Sequence, residues 1–246
     1  MKTKIYIITL LLAINILHSQ NTYTEIIYKK KSAYNVDAKS NNVNEEAAKL
    51  LKASFSQMNN VEYKLLFNKK ESYFTELSKL ESENDSKSLS AKLSKLLGIE
   101  QGNYYISLPK KELLHQKYLA SDLFLIKTDY NTIKWELNNT IKNIGDYKCN
   151  KATATVEIET VNGKVGKKII AWYCPKLNYP FGPGKYVGLP GVILELQYDK
   201  IIYSASKITL NKPEKTEITP PKKGIKISRK EYDLLTKNSF NLYKKY

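Results

Sequence analysis

Between Asn103 and Leu137 four runs of strand-forming residues follow one another, Asn103 to Leu108, Glu112 to Leu119, Asp122 to Lys127 and Thr132 to Leu137, with at most four residues between them. Parallel neighbours in a sheet need a crossover of about a dozen residues or more, and gaps this short hold only turns. The sheet is therefore antiparallel. Further runs extend it: Thr22 to Lys30; Val61, Tyr63, Leu65 and Phe67, with Glu71 to Leu77 returning beside them; Asp146 to Thr160 with Lys167 to Cys174; and Val192 to Tyr198 with Ile201 to Leu210. Helical spacing is confined to the flanks. Asn44 to Met58 places Ala47, Leu50, Leu51, Ser54 and Phe55 on one face, with Asn44 as N-cap and Glu45 and Glu46 in the first turn. Ser86 to Leu97 reads as a second helix ended by Gly98. The pair Ser228 and Glu231 has capping-box spacing, with Leu234, Leu235 and Phe240 available for docking behind it. With 246 residues the chain can bury one sizeable core. The expected class is α+β, a single large, curved antiparallel sheet with a few flanking helices.

The amino end predicts export. Lys2 and Lys4 precede the apolar run Ile5 to Leu17, and Ser19 closes a secretory signal over residues 1–19. That run is shorter than the roughly 20 residues a bilayer span needs, and no cysteine follows the cut to take a lipid. The expectation is an exported chain, periplasmic or extracellular, not lipidated after the signal and with no transmembrane span in its mature form. Residues 20–210 form the sheet domain, 211–224 a linker or strap containing Pro213, Pro220 and Pro221, and 225–246 a C-terminal helix.

Lys and Arg number 40 against 24 Asp and Glu, a formal charge of +16. Only Arg229 among them is arginine, and readers of bases and phosphates lean on the bidentate guanidinium fork. The composition thus argues against nucleic acid as a partner. A lysine-rich solvated surface, or attraction to anionic envelope surfaces, accounts for the charge.

Signatures of chemistry fail one by one. With His18 inside the signal, His115 stands alone, so no multi-histidine metal site is built, and it reads as a strand-surface residue. A phosphate loop would need glycine at Tyr179 and Ser or Thr at Tyr186, and a dinucleotide fingerprint would need its last glycine one residue before Gly188. Neither a metal nor a cofactor is implied. Ser107 and Lys110 have the spacing of a Ser–Lys pair, but Pro109 interrupts the helical turn such a pair needs. Glu157 with Glu159, and Glu195 with Asp199, share a face by strand parity, the ordinary arrangement of a solvated face.

Aromatic content is what remains, nineteen tyrosines and two tryptophans. Trp172, Tyr173, Tyr179, Phe181, Tyr186 and Leu189 gather around a glycine-rich segment and are the candidates for contact with an apolar ligand or peptide; packing of the sheet is the competing use. Cys149 and Cys174 are a disulfide candidate. They flank Asn162-Gly163, a strong hairpin signal. If those two residues are the centre of the turn, Cys149 faces Lys176 and Cys174 faces Lys151, so the cysteines are diagonal at about 7–8 Å, too far for an unstrained bond. A loop centred one residue earlier sets them opposite, and two unpaired thiols are the other outcome.

The segment Phe181-Gly182-Pro183-Gly184-Lys185-Tyr186-Val187-Gly188-Leu189-Pro190-Gly191-Val192-Ile193-Leu194-Glu195-Leu196 resembles the motif that names the GLPGLI family of exported bacteroidete proteins, with Val192 the one departure. Ile133-Lys134-Trp135, Tyr147-Lys148-Cys149-Asn150-Lys151-Ala152 and Ala171-Trp172-Tyr173 resemble its upstream pattern, so the likeness covers Tyr63 to Leu210. It implies an envelope location and a β-rich fold, and no reaction. Within the motif, Leu189-Pro190-Gly191-Val192 suits a type II turn, while Gly182, Gly184 and Gly188 permit tight backbone approach.

The function expected from the sequence is that of an exported, non-enzymatic binding or interaction protein of the envelope. Trp172 and the Tyr179 to Gly191 loop form its contact region, and an apolar ligand, a peptide or an outer-membrane protein its partner. The alternatives are a carboxylate-based envelope hydrolase and a scaffold subunit of an outer-membrane assembly.

Overall fold

A computed structural model of the chain describes residues 22–32, 44–59, 61–77, 89, 102–130, 133–160, 163–212 and 217–243. The signal segment and all of the 86–97 helix except Leu89 lie outside the described residues. Among the described residues the fold has twelve strands and two helices. The strands are β1 (Tyr23–Ser32), β2 (Glu62–Phe67), β3 (Glu71–Leu77), β4 (Asn103–Ser107), β5 (Glu112–Leu119), β6 (Asp122–Asp129), β7 (Glu136–Ile144), β8 (Tyr147–Thr160), β9 (Gly163–Cys174), β10 (Val192–Tyr198), β11 (Ile201–Lys212) and β12 (Ile225–Ser228). Helix α1 (Glu45–Met58) follows β1, and α2 (Arg229–Tyr243) ends the chain. All strands join one sheet, ordered β12-β6-β5-β4-β3-β2-β1-β11-β10-β9-β8-β7. Every described pairing is antiparallel except β12 with β6. The fold is thus mostly β rather than α+β, because the helices do not form a layer: α1 rests on β1, and α2 on β6 and β12.

The first strand sits in the middle. One meander, β2 to β6, grows from one side of β1, and a second, β7 to β11, returns to its other side. The link from β6 to β7, Tyr130 to Trp135, has six residues and joins strands ten places apart in the sheet. Ten steps of about 4.8 Å span roughly 48 Å in a flat sheet, whereas six residues bridge at most about 25 Å. The sheet must therefore roll up. Phe74 on β3 and Tyr203 on β11 show the roll, with ring centroids 6.3 Å apart although β2 and β1 lie between their strands.

The concave face encloses one core. Ile26, Tyr28, Leu65, Phe67, Phe74, Leu113, Ala152, Ala171 and Leu196 belong to it, drawn from β1, β2, β3, β5, β8, β9 and β10. On the convex face Leu66 and Tyr105 pack with Tyr23 beneath Ile218 of the 217–223 segment, which crosses the sheet as a strap. The Gln116 amide donates to the Lys223 carbonyl at 2.9 Å and anchors its far end. Behind the strap, Ile225–Ser228 is a short strand on β6, so the last helix starts at Arg229.

Both predicted caps form. The Asn44 side chain accepts from the Ala47 N–H at 2.7 Å. Glu231 accepts from the Ser228 N–H at 2.8 Å while the Ser228 hydroxyl accepts from the Glu231 N–H at 3.3 Å. The strand expected over Thr132 to Leu137 runs instead over Glu136–Ile144. Its pairing to β8 is interrupted between Asn138 and Ile141 by a bulge, inside which Thr140 donates to the Asn138 side chain. A bulge in an edge strand blunts its tendency to pair with another chain.

Candidate functional site

The residues expected to contact a ligand separate into two groups. Tyr173, Phe181, Tyr186 and Leu189 are all buried within the main core. The segment from Pro175 to Gly191 turns inward as a plug, with Leu177, Phe181, Tyr186, Val187 and Leu189 in that core. Its backbone is tied down at several points: Val192 N–H donates to Leu177 O at 2.9 Å, Ile193 N–H to Phe181 O at 3.0 Å, and Gly188 N–H to Pro180 O at 2.9 Å. From β2, Phe67 meets the rings of Tyr179 and Phe181 at 5.1 and 5.8 Å. The Trp135 indole donates to Val187 O at 2.9 Å, and the Tyr28 hydroxyl reaches from β1 to Ile193 O at 2.6 Å. Burial pushes the Tyr28 phenol well above its ordinary range, so it stays a donor.

The glycines explain the local path. Gly182 packs where a Cβ would stand 2.6 Å from Ile193 Cδ1 and 2.9 Å from the Tyr186 carbonyl oxygen. At Gly191 a Cβ would stand 2.2 Å from the Cys174 carbonyl oxygen, and φ is +151°. The expected type II turn over Leu189-Pro190-Gly191-Val192 does not close, because the Val192 N–H that would complete it bonds Leu177 instead. Glycine is needed for close approach to β9. Gly184 and Gly188 also take positive φ, +62° and +102°.

Trp172 belongs to the other group. The registers of β7 to β11 set Ser204, Glu195, Trp172, Lys151 and Asn138 side by side in one row across five strands. This row lies on the face opposite the core-facing Ala152 and Ala171. Trp172 is half-buried, with the Lys142 and Lys151 amines 5.4 and 5.9 Å from its ring centroid. Lys142 also donates to both Glu195 oxygens, at 2.8 and 2.9 Å, and the Ser204 hydroxyl approaches Glu195 at 3.3 Å. The row ends on β7, the sheet edge, whose Leu137 and Ile141, 61% and 52% exposed, pair with Ala152 and Asn150 and so lie on the face opposite Trp172. Tyr179 is half-buried against Phe67.

Glu195 and Asp199 are each engaged by a lysine rather than by one another. Glu195 is bound by Lys142, and Asp199 by Lys167 at 3.1 Å. Ser107 accepts a hydrogen bond from the Lys110 backbone N–H at 3.4 Å, a turn rather than an activated hydroxyl. His115 is not the surface residue expected: it is buried, stacked on Tyr104 at 3.9 Å. Parity across β3, β4 and β5 aligns Phe74, Tyr104 and His115 on the concave face. Among the described residues, no group of three or more His, Cys, Asp or Glu is placed to hold a metal.

One buried charged residue is not among those the sequence singles out. Lys30 is 1% exposed on the central strand, its amine 5.8 Å from the rings of both Tyr63 and Tyr203. Its neighbours in sequence, Lys29 and Lys31, are exposed, so the alternation of β1 was the available signal. Of the two turn centres open for the long hairpin, the earlier one forms: Thr160 pairs with Gly163 and Asn150 with Tyr173. Asn162 lies outside the described residues, but this pairing centres the turn one residue earlier than Asn162-Gly163. Both cysteines are free, buried thiols. Burial, with the Cys174 thiol beside it, pushes the Cys149 thiol up to about 12, so it stays protonated.

Comparison with known proteins agrees with a fold whose role is unassigned. The family described as "Protein of unknown function (Porph_ging)", a Bacteroidetes family, matches residues 162–195, from the tip of the long hairpin through the plug to β10. No curated protein matches the chain. Two solved structures share its fold: "Structure of PNGF-II in P21 space group", with TM-score 0.52 and 12% identity over 87% of this chain and 33% of that one, and "Structure of PNGF-II in C2 space group", with TM-score 0.51 and 12% identity over 86% and 32%. The chain therefore spans about a third of the length of those proteins. At that identity the likeness concerns the arrangement of strands alone.

Proposed function

We propose that this chain is an exported, non-enzymatic interaction module of the bacterial envelope, of GLPGLI type, which engages a peptide or protein partner on the outer face of β7 to β10. The observation that carries this reading is the placement of aromatic side chains. Tyr173, Phe181, Tyr186 and Leu189 fill the interior, while Trp172 stays half-exposed on the other face, in a row of hydrogen-bonding residues that runs out to exposed Asn138 on the edge strand β7. Aromatic anchors bordered by polar groups are the usual centres of protein contact surfaces. The family assignment is supported by the 182–196 motif and by the match over 162–195, and the export reading by the Lys2 to Ser19 segment.

Photo-crosslinking in the native host tests the proposal. A photoreactive phenylalanine analogue is placed at Asn138, exposed in the same row, at Trp172 and, as a control, at Tyr118, which is 66% exposed on the other meander. The expected result is one discrete crosslinked species from positions 138 and 172 and none from 118. Equal labelling from all three positions, or none from any, would contradict the contact face.

A further inference from the structure

Cys149 and Cys174 are the two cysteines of the chain. The register that pairs Asn150 with Tyr173 sets them against each other one step further along β8 and β9. Directly opposed residues of an antiparallel pair have Cα atoms about 4.5–5.5 Å apart, inside the roughly 4.4–6.8 Å that a disulfide spans. Both side chains are fully buried, and the Cys149 thiol donates to the Tyr147 carbonyl at 3.5 Å. The position matters because Cys174 is the root of the plug. Its carbonyl accepts from the Leu177 N–H at 3.1 Å, and Gly191 packs against that same carbonyl where the plug ends.

We infer that Cys149 and Cys174 are an oxidative cross-linking site, joined by a cross-strand disulfide that fastens the plug to β8. The oxidant is a disulfide of general form RSSR, a small-molecule or protein thiol in its oxidised state. One cysteine, as thiolate, attacks RSSR, forming a mixed disulfide and releasing one RSH. The second, after losing its proton, attacks the mixed disulfide, closes the Cys149–Cys174 bond and releases the other RSH. The two cysteines lose two electrons and two protons, and the oxidant gains both. Since the folded sheet covers both sulfurs and keeps Cys149 protonated, the exchange takes place during folding, before β8 and β9 are enclosed. The closed bond is then shielded from reductants by the same burial.

The test does not depend on where the protein resides or on what it binds, so its failure is distinct from failure of the interaction reading. The full chain is denatured, reduced and refolded either with oxidised and reduced glutathione or with dithiothreitol. The expected product of the first is a monomer about 2 Da lighter than the second, inert to thiol alkylation in denaturant, and melting roughly 6–12 °C higher. A double substitution, Cys149→Ser with Cys174→Ser, abolishes the difference between the two buffers. Should that variant not fold, Cys149→Ala with Cys174→Val serves the same purpose in a less polar form. A natively folded monomer from the glutathione buffer with two alkylatable thiols would overturn the inference, as would an oxidised monomer no more stable than the reduced one.

Discussion

Replacing Gly191 by alanine probes the plug at its tightest point. A Cβ there meets the Cys174 carbonyl oxygen at 2.2 Å, its carbon at 2.5 Å and the Pro175 nitrogen at 2.9 Å, all backbone atoms of β9 and its exit. The backbone φ of +151° adds strain for any residue with a Cβ. Strain of about 1–3 kcal/mol and overpacking of about 1–3 kcal/mol together cost about 3 kcal/mol or more, because neither β9 nor the chain leaving it can yield without breaking the bonds from Leu177 and Val192. For a domain of this size that lowers Tm by roughly 6–12 °C. Gly145→Ala is the matched control. Gly145 also has positive φ, +54°, but no atom lies within 4 Å of its Cβ position, so it loses only the local preference, about 1 kcal/mol or roughly 2–4 °C. Thermal unfolding followed by near-ultraviolet circular dichroism compares the two. Equal melting temperatures for Gly191→Ala and Gly145→Ala would refute the claim that close approach to β9 governs this position.

Other perturbations read other parts of the account. Phe181→Ala empties the fully buried centre of the plug and should cost about 3–5 kcal/mol in urea unfolding; a loss under 1 kcal/mol would show that the ring is not core. Tyr28→Phe removes the 2.6 Å bond to Ile193 O and should cost about 1–2 kcal/mol with the fold retained. In the reduced protein the folded state holds the Cys149 proton to about 12 against an ordinary 9.0, and the unfolded chain releases it earlier. Stability is therefore fully present below pH 9 and falls as pH rises from about 9 toward 12. Cys149→Ser should flatten the first part of that fall, near pH 9, ahead of the buried phenols of Tyr28 and Tyr105, whose ordinary value is 10.0. The urea midpoint measured against pH decides it, and an unchanged alkaline slope in Cys149→Ser would contradict the assignment.

The strands were legible because their residues alternate and their gaps are short. Glu71 to Leu77, Glu112 to Leu119 and Val192 to Tyr198 have the bounds their patterns announce. Strand order was not, since placing β1 between two meanders depends on contacts such as Glu25 with Leu66 and Thr209, far apart in sequence. The register of β8 and β9 stayed open between two turn centres because Asn-Gly chemistry favours the centre of a turn, while the pairing of Ala152 with Ala171 and Ala154 with Ile169 inside the core sets the earlier-centred register that forms. The ligand-contact candidates were identified as aromatic, and their composition alone could not say which face each would occupy. A glycine-rich loop with Phe181, Tyr186 and Leu189 reads the same whether it lies over a cleft or folds into the sheet; the hydrogen bonds of Val192 and Ile193 to Leu177 and Phe181 decide between them. Lys30 and His115 sit on the concave face by parity, and neither composition nor motif distinguishes such residues from their exposed neighbours.

Hydrogen exchange at single-amide resolution tests most directly whether the 175–191 segment is an internal plug, the point on which the outward contact face depends. The amides of Gly188, Val192 and Ile193, bonded to Pro180, Leu177 and Phe181, should exchange as slowly as those of the central strand β1. Exchange of these three as fast as unstructured amides would show an open loop, free to meet a ligand, and would contradict the account.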